Sequence, residues 1–336
     1  MRYRYLWTII SSLLLSAAFG YTLMDAFVFR HPLEGLYLTA APAPLATVTP
    51  EPAPTTKPGN TPTAKATSTA PTATPKPTPT PEPAPVWQSS YTMPFTDEEI
   101  ALYDDEQIYI QITKSFQYDS MFYIAHIMLK DVNYLQTAFA DGLYGRNYTE
   151  HTSKIAKEND ALLAISGDYY GFRDTGLVLR NGVLYRGLTS KDALAIFSDG
   201  DMRLVNKNTH TAQELLDAGA VQGLEFGPVL VKNGEVTGEQ NSVSRQNNPR
   251  CAVGQIAPLD YLFVVVEGRS DTSVGVSCDK LAAFFVEYGC ETAYNLDGGG
   301  TATMWYMGDV LNNPTYGAQR PVSDIIYIGK QGAATP

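Results

Sequence analysis

The residues with the clearest chemical potential lie in one glycine-rich segment near the end of the chain. Asp297 follows a strand-like run, and the next four residues are Gly298, Gly299, Gly300 and Thr301. Consecutive glycines allow backbone N–H groups to point at one centre, which suits an anion such as phosphate, while Asp297 extends from the strand end. No lysine follows the glycines, so the segment is not a Walker A loop. The structural alternative is a tight turn that uses glycine for its backbone angles.

A second group of candidate residues ends another strand-like run. Asp168 follows Ser166 and Gly167 and precedes Tyr169 and Tyr170. Aromatic rings pack on the apolar faces of a sugar, and a carboxylate beside them can act on its polar edge. The combination predicts a carbohydrate site at the end of this strand. The alternative is that Asp168 caps a turn.

Three arginines, Arg250, Arg269 and Arg320, stand in otherwise strand-like surroundings. A guanidinium group donates paired hydrogen bonds to phosphate or carboxylate, so several of them near strand ends predict an anion site. Each also has a structural alternative. The chain carries 35 Asp and Glu residues against 24 Lys and Arg, and any one guanidinium can pair with a neighbouring carboxylate.

The rest of the sequence predicts a fold made mostly of strands, and this fold must position the segments described above. Short apolar or alternating runs predict strands at 107–116, 121–129, 161–167 and 262–268. Turn residues at 180–182 and 199–200 predict two β-hairpins. Two helices are expected, at 211–219 with Thr211 as its N-cap and at 277–289 with Ser277 as its N-cap. The pattern predicts an α+β domain, rich in β structure, with a mixed sheet core and flanking helices.

Composition and net charge argue against several classes of function. The chain has 336 residues and a net charge of −11, and so acidic a protein is not expected to bind nucleic acid. Its three cysteines are too few for a disulfide framework or a thiolate zinc site, and its four histidines include no pair at metal-binding spacing. The sequence requires no cofactor. Its carboxylates could hold a divalent cation, but no spacing demands one.

The first 86 residues differ from the rest. Residues 6–24 carry no charge and are long enough to span a bilayer, and Arg2 and Arg4 precede them. We therefore expect residues 1–30 to be a cytoplasmic tip and signal-anchor, with the C-terminal domain outside the cell. The alternative is secretion after signal cleavage.

Residues 31–86 are expected to be a disordered stalk, because residues 41–85 consist mainly of Pro, Thr and Ala. Fully extended, residues 41–85 could hold a domain up to about 140 Å from the membrane. The remaining residues, 87–336, are predicted to form one domain.

The order of motifs in the C-terminal half resembles one known family. The motifs are EFGPVLVKNGEV, NNPRCAVG, GRSDTSVGVSCDKLAAFFVEYGCETAYNLDGGGTATM and RPVSDIIYIG. Together they make residues 161–330 similar to the phosphodiester glycosidase family. The resemblance implies hydrolysis of the bond between a sugar's anomeric carbon and a phosphate oxygen. The implied substrates are phosphorylated glycans, including N-acetylglucosaminyl phosphodiesters, in exopolysaccharide or cell-wall glycopolymer metabolism.

The resemblance also implies roles for the candidate residues. A phosphate monoester is already a good leaving group, so the site needs anion binding more than acid catalysis. Arg250 and Arg320, with Thr301 and the amides of residues 298–300, would hold the phosphate. Asp168 and Asp297 would activate water or stabilise an oxocarbenium-like state, in an order that stays open, and Glu267 is a reserve acid. The remaining expected substrate contacts are Arg269, Asn295, Ser323, Tyr169 and Tyr170.

Two other functions are compatible with these residues. A non-catalytic, membrane-tethered module that binds glycan phosphate would need the arginines and the aromatic residues but neither Asp168 nor Asp297. Phosphate transfer is the other, since DGGGT is similar to the phosphate loop of sugar kinases. Those loops lie in the first hairpin and are repeated, whereas this one occurs once near the end of the chain.

Overall fold

The computed structural model describes residues 2–39, 87, 89, 97–189, 191–238 and 242–330. Of the predicted stalk at 31–86, residues 40–86 lie outside the described residues. The described residues before and after that segment belong to one unit.

Strands outnumber helices in the described residues. The α-helices are α1 (Arg2–Phe27), α2 (Thr152–Glu158), α3 (Ala212–Asp217) and α4 (Cys278–Glu287). The strands are β1 (His31–Pro32), β2 (Leu38–Thr39), β3 (Glu98–Asp104), β4 (Ile108–Gln117), β5 (Ser120–Leu129), β6 (Leu135–Phe139), β7 (Gly145–Arg146), β8 (Ala161–Ser166), β9 (Val178–Arg180), β10 (Val183–Arg186), β11 (Ala193–Phe197), β12 (Met202–Val205), β13 (Ala220–Leu224), β14 (Val229–Lys232), β15 (Glu235–Val236), β16 (Arg250–Ala257), β17 (Asp260–Val266), β18 (Thr292–Leu296), β19 (Met304–Tyr306), β20 (Asp309–Val310) and β21 (Asp324–Gly329). The predicted α+β, β-rich class is confirmed.

Local sequence signals account for where several elements begin and end. Asn181 and Gly182 have φ angles of 50° and 78°, the left-handed conformation that a two-residue hairpin turn between β9 and β10 needs. Thr211 and Glu214 form a reciprocal capping box at the start of α3, and Ser277 caps the first turn of α4. Both predicted hairpins and both predicted helices are confirmed, whereas α2 was not predicted.

The strands form four sheets. Their strand orders are β1-β7, β20-β19-β8-β21-β6, β12-β11-β13-β9-β10-β2 and β15-β14-β18-β16-β17-β5-β4-β3. Every pairing among these strands is antiparallel. This corrects the expected mixed sheet. Neighbours such as β4 and β5, or β16 and β17, are joined by short turns, and a short turn produces an antiparallel pair.

The eight-stranded sheet lies at the centre of the fold. One of its faces, with Ile110 and Phe263, packs against buried residues of the other sheets such as Ile165. The opposite face packs against α4, where the rings of Phe122 and Phe284 stack at 4.8 Å between centroids. Since both faces are covered, every residue of β17 is buried, which explains its continuous apolar run.

The N-terminal helix α1 contains an uncovered apolar stretch, Trp7–Phe27, of 21 residues. It is long enough to cross a membrane, and its position near the N-terminus is equally that of a signal sequence. Just after α1 the structure differs from expectation. Residues 31–39 are assigned to the stalk by the sequence, but they pair with strands of the domain. β1 pairs with β7, and β2 pairs with β10. Composition misses such pairing because the partner strands lie far along the chain.

Candidate functional site

The ends of β8 and β18 and the start of β21 meet at one place. The backbone N–H of Asp297 donates to the carbonyl oxygen of Gly167 at 3.0 Å, and the Ser166 hydroxyl donates to the carbonyl oxygen of Asp297 at 2.9 Å. On the other side of β8, the backbone N–H of Asp168 donates to Oδ1 of Asp324 at 2.7 Å. These bonds hold the end of a strand in the eight-stranded sheet against two strands of the five-stranded sheet.

Two neighbouring cavities open at this junction. The first has a volume of about 310 Å³ and the second of about 280 Å³. Asp297 and Arg320 line both. Among the described lining residues, Asp297 is the only carboxylate, so one acid is shared by two adjoining spaces.

Asp297 is placed where its protonation changes near neutral pH. It is only 7% exposed, and its Oδ1 atom lies 3.9 Å from Nη2 of Arg320. Burial raises the pKa of the Asp297 carboxyl from 3.8 to about 6, although Arg320 and a hydrogen bond from Thr301 lower it. Asp297 is therefore ionised at pH 7 and takes up a proton in mildly acidic solution.

The first cavity is lined by three guanidinium groups, those of Arg250, Arg269 and Arg320. Arg250 donates to backbone oxygens, among them that of Gln246 at 2.7 Å, and burial lowers its pKa. Arg269 donates to Oδ1 of Asn248 at 2.8 Å. Among the described residues, no carboxylate forms an ion pair with Arg250 or Arg269. The cavity therefore carries positive charge suited to an anion.

The glycine-rich segment is positioned by close packing. Its Gly299 N–H donates to the carbonyl oxygen of Pro249 at 2.8 Å, so that amide is already bonded within the protein. A Cβ atom on Gly298 would lie 2.8 Å from the same oxygen, and Gly299 has a φ of 65°. The carbonyl oxygen of Gly300 accepts the backbone N–H of Arg320 at 3.2 Å. The expectation that all three amides converge on phosphate is thus corrected, because the glycines let the chain pass close to residue 249.

The second cavity combines aromatic rings with hydroxyl groups. The rings of Tyr169 and Phe172 stack at 4.6 Å, and each residue is 40% exposed. Thr301 and Ser323 line the same space, and the buried Ser323 hydroxyl has no hydrogen-bond partner among the described residues. Rings and hydroxyls beside Asp297 form a surface suited to a sugar.

Asn295 lines the first cavity and has a buried acceptor atom that is unsatisfied. It is 2% exposed, and its Nδ2 atom donates to the carbonyl oxygen of Gly227 at 2.8 Å. Its Oδ1 atom has no hydrogen-bond partner among the described residues. A buried acceptor without a donor costs about 1–3 kcal/mol.

Comparison with known proteins agrees with this geometry. The model of the phosphodiester glycosidase family matches residues 159–329, half of the chain, and this span includes every lining residue of both cavities except Thr149. The chain belongs to the phosphodiester glycosidase family. The resemblance seen in the sequence is confirmed.

Two relatives illustrate how far the likeness extends. The SPbeta prophage-derived uncharacterized protein YomE of Bacillus subtilis (strain 168) is 28% identical over 250 residues, which are 66% of this chain and 38% of that protein. The chain thus matches less than half the length of that relative. The catalytic domain of zebrafish N-acetylglucosamine-1-phosphodiester alpha-N-acetylglucosaminidase, auto-inhibited by its pro-peptide, is 19% identical with a TM-score of 0.55. The match covers 67% of this chain and 83% of that one, and it shows a shared fold.

In this phosphodiester glycosidase domain, Asp168 lines neither cavity. Its side chain is fully buried, forms an ion pair with Arg173 and lies 3.8 Å from Nη2 of Arg180. Oδ1 also accepts the backbone N–H of Tyr169, and Oδ2 accepts that of Glu225 at 3.0 Å. Because protein donors occupy both oxygens, Asp168 is placed to position Tyr169. This differs from its expected role as a catalytic carboxylate.

Three other expected site residues, Tyr170, Glu267 and Gly300, line neither cavity. Tyr170 is fully buried, and its ring stacks on that of Tyr144 at 5.4 Å. Glu267 accepts the backbone N–H of Asn313 at 2.6 Å through its Oε1 atom. The first packs inside the domain and the second holds a loop.

Several residues at or below the site were missed by sequence reasoning. Arg180 donates to Oδ2 of Asp324 through Nε at 2.9 Å and Nη2 at 2.7 Å, and both side chains are buried. Phe172 and Asn248 line the cavities. The available signal was the position of Arg180 at the end of an apolar strand, since charged residues are rarely buried without a partner.

We expect Asp297→Asn to stabilise the fold above pH 6. The raised pKa means that folding favours the protonated acid, so stability is highest below about pH 4 and is lost as the pH rises through about 6. At pH 8 the variant should be more stable by about 2–3 kcal/mol, and at pH 4 the difference should nearly vanish. Urea unfolding at pH 4 and pH 8 measures the free energy of unfolding of the variant and the wild type. An equal difference between them at the two pH values would contradict a raised pKa for the buried Asp297 carboxyl.

We expect Arg180→Met to destabilise the protein by about 3–5 kcal/mol, because it leaves Asp324 and Asp168 buried without their shared cation. Arg203→Met is the matched control. Arg203 pairs with Asp199 and Asp201 at the surface, and its loss should cost less than about 1 kcal/mol. Urea unfolding in detergent compares the two variants, and similar losses would show that burial does not strengthen the Arg180 network.

Proposed function

We propose that this chain is a hydrolase that cleaves sugar-1-phosphodiester bonds. The observation that carries the proposal is the position of Asp297, a buried acid shared by an aromatic-lined cavity and an arginine-lined cavity. Membership of the phosphodiester glycosidase family supports this reaction class.

The two cavities suggest how the substrate lies. The sugar packs against Tyr169 and Phe172 in the second cavity, and the phosphodiester lies beside Arg269 and Arg320 in the first. Its anomeric carbon then sits over Asp297. An N-acetylglucosaminyl group is the first sugar to try, because the zebrafish structural relative is named for that substrate.

The reaction follows from this placement. Water attacks the anomeric carbon and passes a proton to the Asp297 carboxylate, forming the new C–O bond of the free sugar. The bond from the anomeric carbon to the phosphate oxygen breaks, and its electron pair leaves with the phosphate monoester. Arg269 and Arg320 stabilise that developing negative charge. The products are a reducing sugar and a phosphate monoester.

The N-terminal helix suggests where the substrate is met. If α1 is retained as a signal-anchor, the domain faces glycans outside the cell membrane, such as exopolysaccharide or cell-wall glycopolymers. If it is cleaved, the domain is secreted toward the same class of substrate. A membrane-tethered module that binds glycan phosphate without cleaving it is the second candidate, because three guanidinium groups line the first cavity.

We expect Asp297→Asn to lower kcat by about 10²–10⁴-fold, the usual contribution of a general base. Wild-type activity should rise with pH through about 6, as Asp297 ionises. Arg269→Ala and Arg320→Ala should mainly raise KM for the phosphodiester. Release of reducing sugar from N-acetylglucosamine-1-phosphodiesters and UDP-sugars, with and without chelator, provides the measurement.

Glu267→Gln is the control for this experiment, since Glu267 lies outside both cavities, and its kcat should stay close to wild type. A fully active Asp297→Asn variant would remove Asp297 from the mechanism. Saturable binding of the panel compounds without release of sugar would favour the binding module instead.

A further inference from the structure

The chain that follows the N-terminal helix is built into the domain. We call residues 28–39 the juxtamembrane strap. Within it, the backbone N–H of Leu33 donates to the carbonyl oxygen of Tyr144 at 3.3 Å, and that of Leu36 donates to Tyr185 at 3.0 Å. These bonds extend the pairing of β1 with β7 and of β2 with β10. The strap therefore forms a two-stranded sheet with β7 and adds an edge strand to the six-stranded sheet.

Side chains fasten the start of the strap and the end of the helix to the same loop. Asn147 donates through Nδ2 to the carbonyl oxygen of Ala26 at 3.3 Å and to that of Phe29 at 2.7 Å. Arg30 forms an ion pair with Asp141, and its guanidinium lies 5.4 Å from the ring centre of Tyr148. The domain thus contacts the last residues of α1 as well as the strap.

We propose that the juxtamembrane strap seats the domain directly on the membrane surface, so that the enzyme acts on glycan phosphodiesters attached at that membrane. The proline- and threonine-rich segment starts after the strap and returns to the same unit at Trp87. Its length therefore does not set the distance between the domain and the bilayer. The seating rests on the contacts above, and only the substrate class rests on the proposed function.

The contacts limit how far the cavities lie from the helix. His31 follows Phe27 by four residues and pairs with Arg146. The carbonyl oxygen of Gly145 lies 3.2 Å from where a Cβ of Gly171 would stand, next to the lining residue Phe172. With at most about 3.5 Å per residue and about 4.8 Å between strands, the cavity wall lies within about 30 Å of the end of α1. An extended stalk would allow several times that distance.

Energy transfer tests the seating without any enzymatic readout. Ala318→Cys introduces an exposed thiol two residues from Arg320 for a donor dye, and the native cysteines Cys251, Cys278 and Cys290 are buried. The full chain is placed in vesicles whose lipid headgroups carry an acceptor dye. We expect strong transfer that does not change when residues 45–80 are deleted. Transfer that grows as this segment is shortened would overturn the proposal.

Two double variants of the strap provide a second test of the seating. Leu33→Pro with Leu36→Pro removes the two N–H donors of the strap, and Leu33→Ala with Leu36→Ala keeps them while shortening the same side chains. The proline pair should lower transfer markedly, because the tether then extends from residue 28 to residue 86, and the alanine pair should not. Equal transfer in the two pairs would also overturn the seating.

The substrate class is tested in the same vesicles with an N-acetylglucosamine-1-phosphodiester carried on a dialkyl lipid and with its water-soluble analogue. The proline pair should lower the rate on the lipid-borne substrate by about tenfold or more, through lost effective concentration, and leave the soluble rate unchanged. If the ratio of the rate on the lipid-borne substrate to the rate on its soluble analogue is unchanged, the proposal of a membrane-attached substrate is overturned. Failure to cleave either compound would count against the proposed function, while energy transfer still decides the seating.

Discussion

The buried guanidinium of Arg180 connects three parts of the fold. It comes from β9 of the six-stranded sheet, binds Asp324 of β21 in the five-stranded sheet, and lies 3.8 Å from Asp168 after β8. Burial raises the pKa of Asp324 to about 6 in spite of Arg180. Two acids packed this closely need a buried cation, and Arg180 and Arg173 supply the charge. The backbone of Asp168 then holds the strand end against which Asp297 is bonded.

Charges at this site fall into two groups with different surroundings. In the lower group, Asp168 and Asp324 pair with Arg173 and Arg180, and Asp168, Asp324 and Arg180 are buried. In the cavities, Arg250 and Arg269 bond to backbone or amide oxygens, and the buried Asp297 keeps a raised pKa. Polar atoms of Asn295 and Ser323 have no partner among the described residues. The lower group holds strand ends in position, whereas the upper group lines the two cavities.

The juxtamembrane strap changes how the proline- and threonine-rich segment after it is interpreted. Composition alone describes residues 41–85 as a spacer between a membrane helix and a domain. Strand pairing before this segment, at β1 and β2, shows that the domain begins on its N-terminal side. In the chain, this segment lies between two parts of one structural unit, and α1 connects to the domain through a few residues.

The sequence by itself determined what depends on neighbouring residues. Turn residues defined the two hairpins, hydroxyl caps defined α3 and α4, and the ordered motifs identified the family and marked Asp297 and the arginines. Only the tertiary structure decided which groups face the cavities. Asp168 and Asp324 are 156 residues apart, and Arg180 and Asp324 are 144 apart, so no local pattern reveals that Asp168 is buried in ion pairs. The same reason explains why the sequence does not reveal the bonded amide of Gly299, the buried ring of Tyr170 or the paired strap. Burial and hydrogen bonding are set by segments that meet only when the chain folds.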